Sequence, residues 1–323
     1  MEKEKISSFK NYKSDEQIKN IYNNVFNKNA KDLIISKLSG GMKNTVYLIS
    51  TEESKVVLKV APKDETKMIS ADRNTLWWEA EMLKLMNTIS FPSPKYIFYD
   101  DSCTICESPY LFMSYIPGFN YLEKKDSLDK HTIANIEYEI GTLSKKISTI
   151  SGESFFLPAQ PNKRFNNNYE FITNLFELLL NDAFSVDLDL GKNNYEIIRE
   201  ILVKYKDSLN NISRISLAHT DIWDGNILIN NNKISGIVDF SDLYYCDELL
   251  SFYFHTIDGK TSQSFLNGYG KFNLNQDELY RIEIYRMYVI LKMIVDCKLK
   301  NYGRFDWMYE NLNTRIKSLT KVR

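Results

Sequence analysis

The chain has 323 residues, 43% hydrophobic and 26% charged, ordinary for a soluble globular protein with ample core. Its 41 Lys and Arg against 42 Asp and Glu leave a net charge of −1, which argues against a protein that tracks nucleic-acid phosphates. The most apolar helical stretch, near 287–295, is interrupted by Lys292 and closed by Asp296, too short and too charged to span a bilayer.

The first ten residues are charged and carry no apolar run, so no secretory leader is read there and a cytoplasmic location is expected. Ile18, Ile21, Tyr22 and Val25 then predict an amphipathic opening helix. Strand signals follow at 33–38, 45–49, 56–60, 96–99 and 110–115, with a helix over 71–86 between the third and fourth. Cys103 and Cys106 have the spacing of half a zinc site, but no second pair follows. With Cys246 and Cys297 they are read as reduced thiols. Ile116-Pro117-Gly118 punctuates the chain, and helical periodicity takes over beyond it. Ile133, Ile136, Ile140, Leu143, Ile147 and Ile150 mark one buried helix face, and further helices are predicted over 171–180, 195–209, 279–295 and 307–319. The expectation is an α+β chain of two lobes, residues 1–115 and 116–323.

Several polar residues stand out against this background. In the first half, Gly40-Gly41 joins two strands, as a phosphate-cradling loop or an ordinary hairpin turn. Lys59 ends an apolar strand. Glu79 and Glu81 follow on the helix, about 200° apart, so only one of them can face it. Residues 110–118 read as a hinge whose backbone would meet a purine edge, with Phe112 or Met113 walling the pocket. In the second half, the apolar runs 227–229 and 234–238 flank Asn230-Asn231-Asn232. A hairpin turning near Asn231 brings Asp239 back beside Asn226, with His219 and Asp221 just upstream. Two carboxylates and an amide oxygen at one mouth suit magnesium carried in with a nucleotide phosphate.

The pattern H-x-D-x-x-x-x-N, two apolar strands and D-F-x-D resembles the catalytic and metal-binding segments of the kinase-like small-molecule phosphotransferases. That family includes aminoglycoside phosphotransferases, choline kinases and fructosamine kinases. Protein kinases instead carry Arg in the first element and D-F-G in the second. The resemblance implies a bilobal protein-kinase-like fold, with an antiparallel β lobe containing one main helix and a larger, mainly helical C-terminal lobe. It implies ATP or GTP as co-substrate with Mg2+, Asp221 as the catalytic carboxylate and His219 as a brace for its loop. Asn226 and Asp239 would hold the metal. The nucleotide would meet Gly40, Gly41, Asn44, Lys59, Glu79, Met113 and Tyr115. Asn44 and Tyr47 match the family's Gly-Gly loop, and its x-E-A element selects Glu79 over Glu81. Thr220 replaces the usual Gly, Cys246-Asp247-Glu248 a common G-D-P, and Ser251 a later Asp, departures that bear on how the loop is braced.

The acceptor is expected to be a small hydroxylated molecule, the protein itself a monomer or weak dimer. Asp239, Asp242, Asp247, Glu248 and Asp258 lie in a stretch without Lys or Arg, which reads as an uncompensated acidic surface for a cationic amine. Asp224 and Asp242 are candidate acceptor contacts. Tyr244, Tyr245, Phe252, Tyr253 and Phe254 could wall a sugar, and His255 is read as structural. An aminoglycoside, and hence an antibiotic-resistance activity, is the leading reading. Choline, fructosamine, macrolide or another metabolite is the alternative acceptor, and a non-catalytic nucleotide-binding pseudokinase the alternative class.

Overall fold

A computed structural model describes residues 10–28, 30, 32–38, 43–256 and 262–321, with the backbone only at 253–256. Helix α1 (Asp15–Phe26) starts at Ser14, whose hydroxyl and N–H exchange hydrogen bonds with Gln17 in a capping box, and stops at the left-handed Asn27. Strands β1 (Ile34–Leu38), β2 (Thr45–Ser50), β3 (Lys55–Val60), β4 (Tyr96–Asp100) and β5 (Tyr110–Ser114) form one antiparallel sheet in the order β1-β2-β3-β5-β4. Side chains alternate across it. Tyr47, Ile49, Val56, Leu58, Val60, Tyr110 and Phe112 pack under Ile18, Ile21 and Tyr22 of α1. The opposite face, with Val57, Leu111 and Met113, packs against helix α2 (Leu76–Thr88). Lys59 shares that face, because it follows Val57 by two residues. This parity aims it inward.

Helix α2 begins later than the sequence pattern suggests. Ser70–Asp72 form a 3₁₀ turn, held down where Asp182 accepts the Ser70 N–H (2.7 Å) and hydroxyl (2.6 Å). The Arg73 guanidinium ties back to the Met68 carbonyl, and Asn74 is left-handed (φ 51°). The chain is therefore turned before Leu76, and helix cannot start at Ala71.

The second lobe comprises β6 (Phe119–Asn120), α3 (Tyr121–Lys124), α4 (Lys130–Ser148), α5 (Asn168–Ser185), α6 (Asn194–Lys204) and α7 (Lys206–Asn210). It continues with β7 (Ser216–His219), β8 (Ile227–Asn230), β9 (Lys233–Ile237), β10 (Leu243–Cys246), α8 (Gln263–Tyr269), α9 (Gln276–Leu299) and α10 (Asp306–Lys321). The helix expected over 195–209 is broken at Tyr205 into α6 and α7. Helix α8 has no counterpart in the sequence pattern. It crosses α4 at Gly141 and Gly268, where a Cβ would collide with the backbone of Phe265 or Tyr138. Among the described residues, no helix is long and apolar enough to cross a membrane.

Two strand pairs position the chemistry. The β8–β9 hairpin turns through Asn231 (φ 50°) and Asn232 (φ 59°), the left-handed pair a tight two-residue turn requires. Its register sets Ile227 against Ile237, so Asn226 and Asp239 emerge at the same end. Strands β7 and β10 pair with His219 against Leu243, which sets Asp221 just past one strand and Asp242 just before the other. All four polar residues meet at one mouth.

Candidate active site

His219 is buried and orders the segment that follows it. Its Nδ1 accepts the Asp221 backbone N–H at 3.2 Å, so the ring proton sits on Nε2, 3.4 Å from the Val238 carbonyl. Burial holds the imidazole pKa down to about 4, despite Asp239 and Asp242, and the ring is neutral near pH 7. Asn226 spends both amide hydrogens on Asp221, at 2.8 Å to its carbonyl and 2.9 Å to Oδ2. Its amide oxygen is the atom left for a cation. Asp239 is left-handed (φ 66°, ψ 69°), a conformation Asp tolerates better than most residues and one that concentrates at functional sites.

Lys59 joins the lobes. Its ammonium donates to Glu79 at 2.7 and 2.9 Å and to Asp239 at 3.1 Å. Glu79 is fully buried, whereas Glu81 is exposed and pairs with Lys84 at 2.7 Å. Burial opposes the Lys59 charge, but Asp239 and Glu79 outweigh it and raise its pKa. The Asp239 carboxyl is likewise held below the usual range, because Lys59 and Lys43 overcome its burial. Asp221 moves the other way. Burial and the Asp242 and Asp239 carboxylates push it up, against the pull of Lys292 and Lys43.

Gly40 and Gly41 lie outside the described residues. Asn44 is half-buried at the entrance to β2, and Met113 is buried on the same sheet face as Lys59. Tyr115 is half-buried, with the Lys55 ammonium 5.5 Å from its ring centre. Phe112 does not wall the cleft. Strand alternation turns it to the far face, edge-on to Tyr22 and Phe26.

The departures from the family pattern are braced. Thr220 donates both its N–H and its hydroxyl to the Asp242 carbonyl, each at 2.8 Å. Asp247 is buried against Arg281 (2.7 Å) and the Tyr285 hydroxyl (2.8 Å), and the Ser251 hydroxyl donates to the Glu248 carbonyl. The expectation of an uncompensated acidic surface is overturned, because the cations arrive from distant segments. Asp239 meets Lys59, Asp242 meets Lys43 and Lys292, Asp247 meets Arg281, and Glu248 lies 3.7 Å from Lys145 and Arg214. Asp224 is paired with Lys125 at 2.7 Å, and Asp258 lies outside the described residues. Tyr244 and Phe252 are core, and Tyr245 packs on Trp78. The side chains of Tyr253, Phe254 and His255 lie outside the described residues.

Sequence reasoning missed Lys43 and Asp72 and met Lys292 only as a break in an apolar stretch. That break was the signal, since a lysine amid buried helix positions needs a carboxylate partner.

A two-lobed fold with these residues facing across its cleft defines a kinase-like architecture. The model of the phosphotransferase enzyme family (APH) matches residues 34–278, and the chain belongs to that family. Among solved structures it is similar to a Haemophilus somnus protein assigned as a fructosamine-3-kinase, at 17% identity and TM-score 0.69, over 94% of this chain and 97% of that one. It is also similar to a thermostable mutant of aminoglycoside phosphotransferase APH(4)-Ia in complex with AMP-PNP and hygromycin B, at 14% identity and TM-score 0.67, over 95% and 100%. A third is APH(2")-IIa with streptomycin and ATP, at 18% identity and TM-score 0.61, over 97% and 98%. These likenesses are of fold. Among curated proteins no sequence matches.

Proposed function

We propose that the chain transfers the γ-phosphoryl group of ATP or GTP to a hydroxyl of a small molecule, most plausibly an aminoglycoside. The observation that carries this is the convergence of Asp221, Asn226 and Asp239 on one mouth, with Lys59 held across it by Glu79. Phosphoryl transfer needs an oriented hydroxyl and neutralised phosphate charge more than covalent help from the protein. Asp221 takes the first task, its raised pKa making it a proton acceptor near neutral pH. Lys59 takes part of the second, at the non-transferred phosphates. Asn226 and Asp239 offer hard oxygens that fit magnesium, which would neutralise phosphate charge when bound. No cluster of three or more His, Cys, Asp or Glu exists among the described residues, in keeping with a metal that arrives with the nucleotide rather than in an all-protein cage.

The pairing of Asp224, Asp242, Asp247 and Glu248 supports a second acceptor reading. With these carboxylates already matched to cations, a neutral polyol such as a fructosamine sugar is as well served as a polycation. The test is turnover of MgATP and MgGTP by the full chain against aminoglycosides, fructosamines, choline and macrolides. Turnover with one class is expected, falling about 100- to 10,000-fold in Asp221→Ala. Acceptor phosphorylation unchanged in that variant would sink the mechanism. Nucleotide binding without turnover on any acceptor would make the protein a pseudokinase.

A further inference from the structure

We propose that Lys43 and Lys292 are positioning residues, closing with Asp72 and Asp242 a ring of four alternating charges that fixes the catalytic loop against the metal-binding turn. Its effect on turnover rests on the phosphotransfer reading above. Each lysine bridges both aspartates. Lys43 Nζ lies 2.8 Å from Asp242 Oδ2 and 3.2 Å from Asp72 Oδ1. Lys292 Nζ lies 2.9 Å from the same Asp72 oxygen and 3.5 Å from Asp242 Oδ1. Lys43 and Asp72 belong to the sheet lobe, Asp242 and Lys292 to the helical lobe. The ring closes across the cleft.

Asp242 is where the ring acts on the chemistry. Its carbonyl accepts both the N–H and the hydroxyl of Thr220, the residue before Asp221. The Ser241 hydroxyl lies 3.2 Å from Asp239 Oδ1 and 3.4 Å from Asp242 Oδ2, and the Tyr244 hydroxyl donates to Asp242 Oδ1 at 2.8 Å. One residue thus ties the catalytic loop to the turn bearing Asp239. Removing either lysine leaves two buried carboxylates sharing one cation, and their repulsion falls on this junction. A ring that only glued the lobes together would lack the Thr220 and Ser241 links.

The test compares wild type with Lys292→Met in two measurements on the full chain. In hydrogen exchange without nucleotide, the Thr220 amide is expected to exchange about tenfold faster in the variant, with α5 and α6 unchanged. In steady-state assays with an acceptor that turns over, kcat should fall about tenfold while the nucleotide Kd stays within about twofold. The double variant Asp72→Asn/Lys292→Met should lose no more than Lys292→Met alone, because the ring is already open. Lys43→Met removes the other bridge and should speed Thr220 exchange in the same way, which covers the case of Lys292→Met failing to fold. Unchanged Thr220 exchange, an equal rise in every segment, or additive losses in the double variant would each overturn the proposal. If wild type turns over no acceptor, the phosphotransfer reading fails, while the exchange comparison still decides whether the ring holds the loop.

Discussion

Two clusters of charge cross the same cleft, and they differ in how far water reaches them. In the cluster of Lys59, Glu79 and Asp239, the Asp239 side chain is 31% exposed and takes hydrogen bonds on Oδ1 from Lys59 and Ser241. In the ring of Lys43, Asp72, Asp242 and Lys292, the two carboxylates are only 3% and 4% exposed, and Asp242 answers to two lysines and a tyrosine. The contrast separates a carboxylate that can still meet a metal from carboxylates saturated by the protein. Reactivity sits with the first kind. Geometry is held by the second.

The largest expected effect comes from breaking the first cluster. Lys59→Met leaves Glu79 fully buried with no cation, a loss of about 3–5 kcal/mol in stability for a pair broken on one side. Nucleotide-dependent turnover should also fall at least about 100-fold, since a phosphate clamp is gone. Lys59→Met/Glu79→Leu should recover most of the stability, because apolar residues can replace a buried pair, yet recover no turnover. Urea midpoints read the first quantity and initial rates the second. If the double variant regained activity with stability, Lys59 would be structural only.

These clusters were not equally legible. Strand parity puts Lys59 on the face of Leu111 and Met113, so the alternating pattern already pointed it inward. Asn231-Asn232 announced a two-residue turn, and with it the meeting of Asn226 and Asp239. Both inferences rest on local periodicity. The ring does not, for Lys292 reaches Asp72 across 220 positions, and nothing local marks either end for the other. The acidic run misled for the same reason. It was judged by its own neighbours in sequence, while its cations come from Lys59, Lys43, Lys292 and Arg281. Strands β7 and β10 escaped notice because each is four residues long and fully paired only with the other.

Next in size is a pH effect on the brace between the clusters. His219 stays neutral in the folded chain down to about pH 4, whereas in the unfolded chain it takes its proton near 6.5. Between those values the unfolded state binds more protons, so stability rises with pH across the window and is lost as pH falls through it. The full span is worth about 3 kcal/mol. Urea midpoints of wild type should therefore drop more steeply from pH 6.5 to 4 than those of His219→Gln, which has no proton to gain. Parallel slopes would mean that the imidazole is not held neutral by burial.

The smallest effect is expected two residues from one of the largest. Glu79 and Glu81 lie about 200° apart on α2, and only the first turns into the cleft. Glu81 meets Lys84 in water, with side chains 49% and 46% exposed, so the pair contributes little beyond solvent screening. Glu81→Gln should leave stability within about 0.5 kcal/mol of wild type and turnover unchanged. Glu79→Gln instead leaves the Lys59 ammonium with Asp239 alone, drawing it away from its place between the lobes. Its turnover should fall while Glu81→Gln keeps wild-type rates in the same assay. Equal losses in the two variants would mean that acidity along α2, and not the facing of one side chain, governs the cleft.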